Sequence, residues 1–376
     1  MTKRIVVKVG STLLANEETL KLRFAFMWGL LNDIASLQNQ GHDVVLMSSG
    51  AVALGRDILK TTDNSIATRQ AASACGQPVL LHAYRSIAQE MDKEIAQVLV
   101  TMSEMESQEH FDEISNTIER LFEYPVIPIV NENDTTATQD LRVGDNDRLA
   151  AKVAEMIGAE HLVILTSIDG LYDRNPADPE AKFIDTLSDV SEYIAGTEET
   201  NGLGTGGMKT KLQAANMAQQ YNCTTYIAEG IIDAPVSSVI NNSRRHTRCV
   251  PIDHASSKQE LWLSNRLRVG GSLIVPPEVA ENLKEHKNDI HWEDITTRFG
   301  SFARGDILHV FCEDGIELVR GYAERSSEEL AHIKSMYTEL DRAHDPKILL
   351  VSKERMILVE DKQLSWEAPV TGQQET

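Results

Sequence analysis

The chain has 376 residues, of which 41% are hydrophobic and 25% charged, and its formal net charge is −21. That is an ordinary globular composition, long enough for more than one core, and the acidic balance argues against a nucleic-acid backbone as the main partner. No stretch approaches the roughly 18 uninterrupted apolar residues that a membrane span needs.

The N-terminus, MTKRIVVKVG, lacks the longer apolar region and small-residue cleavage site of a signal peptide. It predicts a first strand and a cytoplasmic protein. Lys8 interrupts its apolar run; a lysine in a buried strand is costly unless it meets an anion. One residue before Val9-Gly10, it stands at the strand's carboxyl end. LKLRFAFMWGLLNDIASLQNQ predicts a helix ending near Gly41, and HDVVLMSSG a strand running into glycine. SIATRQAASACGQPVLLHAYRSIAQEM predicts a helix with a break at Gly76-Gln77-Pro78.

AQVLVT and PVIPIV are further strands, and the second runs into the densest polar stretch of the chain, NENDTTATQDLRVGDNDRL. Its Asn131, Asn133, Asp134, Asp145, Asn146 and Asp147 suit an ammonium group, a metal or a sugar. The EF-hand pattern fails for lack of glycine at its sixth position. Helix capping accounts for 145–147 but not for 131–134. NDRLAAKVAEMIGA is the next helix, HLVILTSI and TTYIAEG the next strands. Between them lies GLGTGGMKTK, residues 202 to 211. Gly202 and Gly207 have Walker A spacing, but Met208 occupies the lysine position, so this is a glycine-rich loop opening a helix and not a P-loop.

Alternating β and α segments with β-branched strand runs predict an open, mostly parallel sheet sandwiched by helices. Ligands of such sheets bind beyond the strands' carboxyl ends. Here that rule selects Gly10-Ser11, Ser48-Ser49-Gly50, residues 131–134 and Thr166-Ser167. Cys75, Cys223, Cys249 and Cys312 are scattered without metal-ligand spacing. A glycine-rich helix N-terminus, two candidate lysines (Lys8 and Lys211) and an acidic residue to orient them are the parts of a phosphoryl-transfer site.

After about residue 250 the pattern changes. SLIVP, DILHVFC, IELVRGYAE, KILLVS and RMILVE are short strands, and PEVAENLKEH and SSEELAHIKSMYTELDRA are helices, the second capped by Ser326 or Ser327. They predict a small α+β, barrel-like module. The expected division is 1–255, 266–362, and a flexible tail over 363–376, with VPIDHASSKQELW as the connection.

KVGS, SSGAVALG, VNENDTTAT followed by VGDNDRLAA, and GLGTGGMKTKLQAA, in that order, resemble the glutamate 5-kinases of the amino acid kinase family. The match runs through roughly residues 3 to 250, and the later module resembles a PUA domain more weakly. The resemblance implies phosphorylation of the γ-carboxylate of L-glutamate by ATP, with Mg2+ carried on the nucleotide, as the first step of proline biosynthesis. It implies that Lys8, Lys211 and Asp147 are catalytic, and that Ser49, Asp134 and Asn146 bind the substrate. Lys8, Thr166, Ser167, Thr205, Gly206, Gly207, Met208, Lys209, Thr210 and Lys211 would bind the nucleotide. A homo-oligomer inhibited by L-proline is expected, with neither membrane nor nucleic acid as a partner. Ser167 departs from the family's frequent aspartate, Lys209 adds a charge, and SRRHTRC lacks the usual glycine-containing turn. A same-fold kinase acting on acetylglutamate, aspartate, a nucleotide or a small phosphate ester is one alternative. An inactive, RNA-binding relative is another, against which the intact trio and the acidic balance weigh.

Overall fold

A computed structural model describes residues 3–16, 21–136, 145–191, 193–194, 206–252, 270–285, 288–339 and 347–359. The chain divides into two compact units. One holds Met1–Met105 and Glu109–His254, the other Ala255–Thr376 with Glu106–Gln108. The expected connection and the 363–376 tail lie outside the described residues, apart from Val250 to Ile252.

The first unit runs β1 (Arg4–Val9), α1 (Ser11–Leu14), α2 (Phe24–Asn39), β2 (Asp43–Met47), α3 (Ala51–Leu59), α4 (Ile66–Gln89), β3 (Glu94–Val100), α5 (Met102–Met105) and α6 (Gln108–Phe122). It continues with β4 (Val126–Glu132), α7 (Asp145–Met156), β5 (His161–Thr166), β6 (Leu171–Tyr172), β7 (Phe183–Ile184), β8 (Thr186–Leu187), α8 (Gly206–Gln219), β9 (Thr224–Glu229), α9 (Ser237–Ile240) and β10 (Thr247–Cys249). Eight strands form one sheet in the order β3-β4-β2-β1-β5-β9-β10-β8. All neighbours pair in parallel except β9 and β10.

β1 sits in the middle, with β2 on one side and β5 on the other. Ile5, Val7 and Val9 pack with Met27 and Leu30 of α2 and Leu80 and Tyr84 of α4. Strand side chains alternate faces, so Val6 and Lys8 point to the opposite side. There α7 lies against β1, and Leu212 and Ala215 of α8 pack with Ile227 of β9. Covering both faces is what makes these strands apolar throughout.

α4 is unbroken from Ile66 to Gln89, with Pro78 inside it, so the expected break at Gly76-Gln77-Pro78 does not occur. Packing overrides the local penalty. A side chain at Gly76 would place its Cβ 1.9 Å from the Ala51 carbonyl oxygen, and one at Gly55 1.6 Å from that of Ala72. α3 and α4 therefore touch backbone to backbone through two glycines.

The second unit contains β11 (Gly271–Val275), α10 (Pro277–Glu285), β12 (Ile290–His291), β13 (Thr297–Phe299), β14 (Ile307–Cys312), β15 (Glu317–Ala323), α11 (Ser327–Glu339) and β16 (Leu349–Leu358). Its sheet has six strands in the order β12-β16-β15-β14-β11-β13. The register shifts within the β14–β15 and β15–β16 pairs let it curl. KILLVS and RMILVE, expected as two strands, belong to the single strand β16, whose middle residues Lys353 and Glu354 are exposed. α11 is capped by Ser326: its hydroxyl accepts from Glu329 N at 3.0 Å, and the Glu329 carboxylate accepts from Ser326 N at 2.9 Å. This unit has its own apolar core, built on Leu273, Leu308, Val310 and Val319.

Candidate active site

Lys8 ends the apolar face of β1 that looks toward α7, and it meets the anion its setting requires. Its Nζ lies 2.5 Å from Asp147 Oδ1, and the two residues are only 6% and 2% exposed. Lys211, in the second turn of α8, reaches the other carboxylate oxygen, Oδ2, at 3.2 Å. The Thr210 hydroxyl donates to that same oxygen at 2.7 Å. One buried carboxylate thus holds two ammonium groups. Burial on its own raises the Asp147 carboxyl, but Lys8 and Lys211 outweigh it and hold it below the usual carboxylate range. Burial lowers the Lys8 ammonium, with Asp147 opposing and Lys211 adding to the shift.

The Lys211 ammonium also donates to the Gly207 carbonyl at 3.0 Å. This pins the side chain along the first turn of α8, whose N-terminus carries the backbone donors and dipole suited to a phosphate. Gly206 and Gly207 open that helix. Met208 instead turns its side chain into the core with Leu212 and Ala215, leaving only its backbone to the loop. Lys209 is half-buried. Thr205 lies outside the described residues.

A second group of residues gathers at the ends of β2 and β4. Gly50 caps α3 in the left-handed region, φ 102°, which turns the chain directly after Ser49. Asn146 Nδ2 donates to the Ser49 hydroxyl at 2.8 Å. The other amide atom, Asn146 Oδ1, is buried and has no hydrogen-bond partner among the described residues. A buried orphan acceptor is costly and points to a donor from a ligand. Beneath it, the buried Ser48 hydroxyl lies 3.0 Å from that of Tyr84.

Asp134 accepts from the Ser73 hydroxyl at 2.6 Å, and Asn131 Nδ2 donates to Gln77 Oε1 at 3.0 Å. Burial raises the Asp134 carboxyl, while Ser73 and Arg69 counter it. Ser73, Gln77 and Tyr84 are contributions that the sequence reading missed. The signal was there: Arg69, Ser73 and Gln77 recur every four residues on α4, a polar stripe along one side of the helix.

Thr166 ends β5, where its carbonyl accepts from Gly230 N at 2.9 Å, and Ser167 is exposed just beyond it. Neither side chain joins the Lys8–Asp147–Lys211 group among the described residues. The arrangement as a whole offers two cations at a helix N-terminus suited to a phosphate, and a cluster of amides and a carboxylate at the ends of β2 and β4. That combination can neutralise a polyphosphate and hold a small ammonium-bearing acceptor next to it. No group of three or more His, Cys, Asp or Glu among the described residues could hold a metal, and none of the helices described is long and apolar enough to cross a membrane.

Residues 3–229 match the amino acid kinase family. The chain is 36% identical over 341 residues to a glutamate 5-kinase of Caldanaerobacter subterraneus subsp. tengcongensis, covering 89% of this chain and 91% of the relative. It is 34% identical over 365 residues to a glutamate 5-kinase of Rhizobium rhizogenes, covering 95% and 93%. Among solved structures, a UMP kinase from Ureaplasma parvum superposes with a TM-score of 0.50 at 16% identity, over 66% of this chain and 99% of that one. A carbamate kinase from Giardia lamblia bound to AMP-PNP gives 0.50 at 14% identity, over 67% and 99%. At such identities the two structures bear on the fold alone.

Proposed function

The chain belongs to the amino acid kinase family and, within it, to the glutamate 5-kinases, and on that premise we propose that it transfers the γ-phosphoryl group of ATP to the γ-carboxylate of L-glutamate, giving γ-glutamyl phosphate at the first step of proline biosynthesis. The observation that carries this reading is the buried Lys8–Asp147–Lys211 group standing beside the orphan Asn146 acceptor.

In the reaction a γ-carboxylate oxygen forms a bond to the γ-phosphorus as the bond to the β–γ bridging oxygen breaks, and ADP leaves. Little covalent work falls to the protein; its task is alignment and charge. Lys8 stabilises the phosphoryl group in transit. Lys211 and the backbone N–H groups opening α8 neutralise the nucleotide phosphates. Asp147 keeps the two ammonium groups apart and aimed, and the Thr210 hydroxyl fixes Asp147. The acceptor's ammonium group fits Asp134 and Asn146 Oδ1, with Ser49 positioning the Asn146 amide. Thr166, Ser167, Thr205 and Lys209 border the nucleotide. Mg2+ enters on the ATP phosphates, which suits an ion that keeps most of its ligands from phosphate and water.

L-proline shares glutamate's α-carboxylate and cationic nitrogen and competes for the same contacts. The enzyme works in the cytoplasm as a homo-oligomer, and the second unit is a PUA-like module. Incubation with ATP, Mg2+ and L-glutamate in the presence of hydroxylamine tests the central step. The expected product is γ-glutamyl hydroxamate in step with ADP release. ADP release that needs glutamate but yields no hydroxamate rules out an acyl phosphate.

A further inference from the structure

We propose that Arg69 binds the α-carboxylate of the amino-acid substrate, forming with Asp134 a pair of opposite charges that reads a zwitterion. The inference rests on the reading of the acceptor as glutamate, and it assigns the one charge of that molecule which the residues above leave unmatched.

Glutamate brings three charges. Its γ-carboxylate must lie by the transferring phosphoryl group, where Lys8 and Lys211 are committed through Asp147. Its ammonium has Asp134 and the orphan Asn146 Oδ1. Its α-carboxylate, two bonds from the ammonium nitrogen, needs a cation near Asp134 that is not already engaged. The α4 stripe supplies one. Ser73 donates to Asp134 and Gln77 accepts from Asn131, so this face of the helix looks at the end of β4. Arg69 lies one turn before Ser73 on the same face, the spacing at which side chains are neighbours.

The guanidinium is electrostatically in range, because its charge opposes the upward shift of the Asp134 carboxyl. Arg69 is half-buried; its backbone N donates to Ser65 O within the helix, and among the described residues its guanidinium makes no hydrogen bond or salt bridge. The other two arginines of this helix pair are engaged, Arg56 with Asn64 and Arg85 with Glu94 at 3.4 Å. A guanidinium presents a planar fork that matches a carboxylate with two parallel hydrogen bonds, which an ammonium cannot do.

4-Aminobutyrate separates this role from any general one. It is glutamate without the α-carboxylate, keeping the amine and the carboxylate that would be phosphorylated. The full chain is assayed for hydroxamate formation from glutamate, and 4-aminobutyrate is titrated as a competitor. In Arg69→Gln the KM for glutamate rises about 100-fold, the order expected when a charged hydrogen-bonding partner is lost. The KM for ATP and the Ki of 4-aminobutyrate stay within about twofold of the parent values, within the scatter of a surface substitution. Arg69→Lys recovers part of the loss. An unchanged KM for glutamate in Arg69→Gln overturns the assignment, and so does an equal weakening of glutamate and 4-aminobutyrate. A parent enzyme that forms no hydroxamate from glutamate at all fails at the earlier step, the functional reading itself.

Discussion

Asp147 holds Lys8 at 2.5 Å and Lys211 at 3.2 Å, so removing Asp147 leaves two ammonium groups unpaired, and removing either lysine takes away one of the carboxylate's two cations. Lys8→Ala, Lys211→Ala and Asp147→Ala are each expected to lower kcat by about 100-fold or more. Circular dichroism confirms the fold, and near-normal turnover in folded Lys8→Ala excludes Lys8 from the chemistry. Asp134 behaves differently. Its folded pKa is raised by burial, so the native state gives up that proton at a higher pH than the unfolded chain. The ionised carboxylate therefore withholds stability above the folded value, and the effect disappears below the unfolded one. Asp134→Asn should raise Tm at neutral pH while increasing the KM for glutamate about tenfold or more and sparing that for ATP. In the parent protein, the KM for glutamate should climb on acidification at a pH above the ordinary aspartate range. A lower Tm for Asp134→Asn contradicts the burial cost. Lys8 was legible in the sequence because a lysine in an apolar strand is an anomaly. The pairing of Ser73 with Asp134 was not, because it joins residues 61 positions apart and only packing brings them together.

The close crossing of α3 and α4 sets the distance between the two sides of the proposed acceptor site, since α3 starts after Gly50, beside Ser49, and α4 carries Ser73 and Gln77. Gly76→Ala would place a Cβ 1.9 Å from a backbone carbonyl, where no rotamer change can relieve the clash. The expected cost is about 1–3 kcal/mol in urea unfolding. The KM for glutamate should rise with it, and wild-type stability in this variant shows that the helices separate cheaply. In the second unit, Ser326→Ala removes the cap of α11 and should cost about 1 kcal/mol, read from the same denaturant titration. In the first unit the strands β1 to β5 and β9 followed from β-branched runs and glycines, whereas α3, α6 and the short strands β6 to β8 and β10 were not read from the sequence. The continuity of α4 through Pro78 did not follow either, because local propensity carries no information about the helix packed across it. Likewise β16 was divided in advance by its polar centre, which is exposed while its two apolar ends are buried.

Every residue assigned to the reaction lies in the first unit, and each unit encloses its own core. A chain ending near residue 254 should therefore keep kcat within a few-fold in the hydroxamate assay, and a loss of activity in a folded truncation would tie catalysis to the second unit. The second unit interleaves Arg298, Arg304, Arg320 and Arg325 with acids, and Arg320 is spent on Glu317 at 2.7 Å. A gel shift with bulk tRNA at 150 mM salt is expected to show no complex; a micromolar complex that weakens steeply with salt would mean an RNA face exists. The central place of β1 in the sheet has a consequence for synthesis. One edge of this strand pairs with β2, about forty residues downstream, but the other waits for β5, about 155 residues downstream of β1. Through that interval the nascent chain carries Ile5, Val6, Val7 and Val9 beside an open row of backbone donors and acceptors, the form in which strands recruit other chains. Lys8 stands within that run. Before Asp147 exists to pair with it, its charge repels stacking of like segments, so the lysine proposed to act on the phosphoryl group first serves as a guard against misassembly.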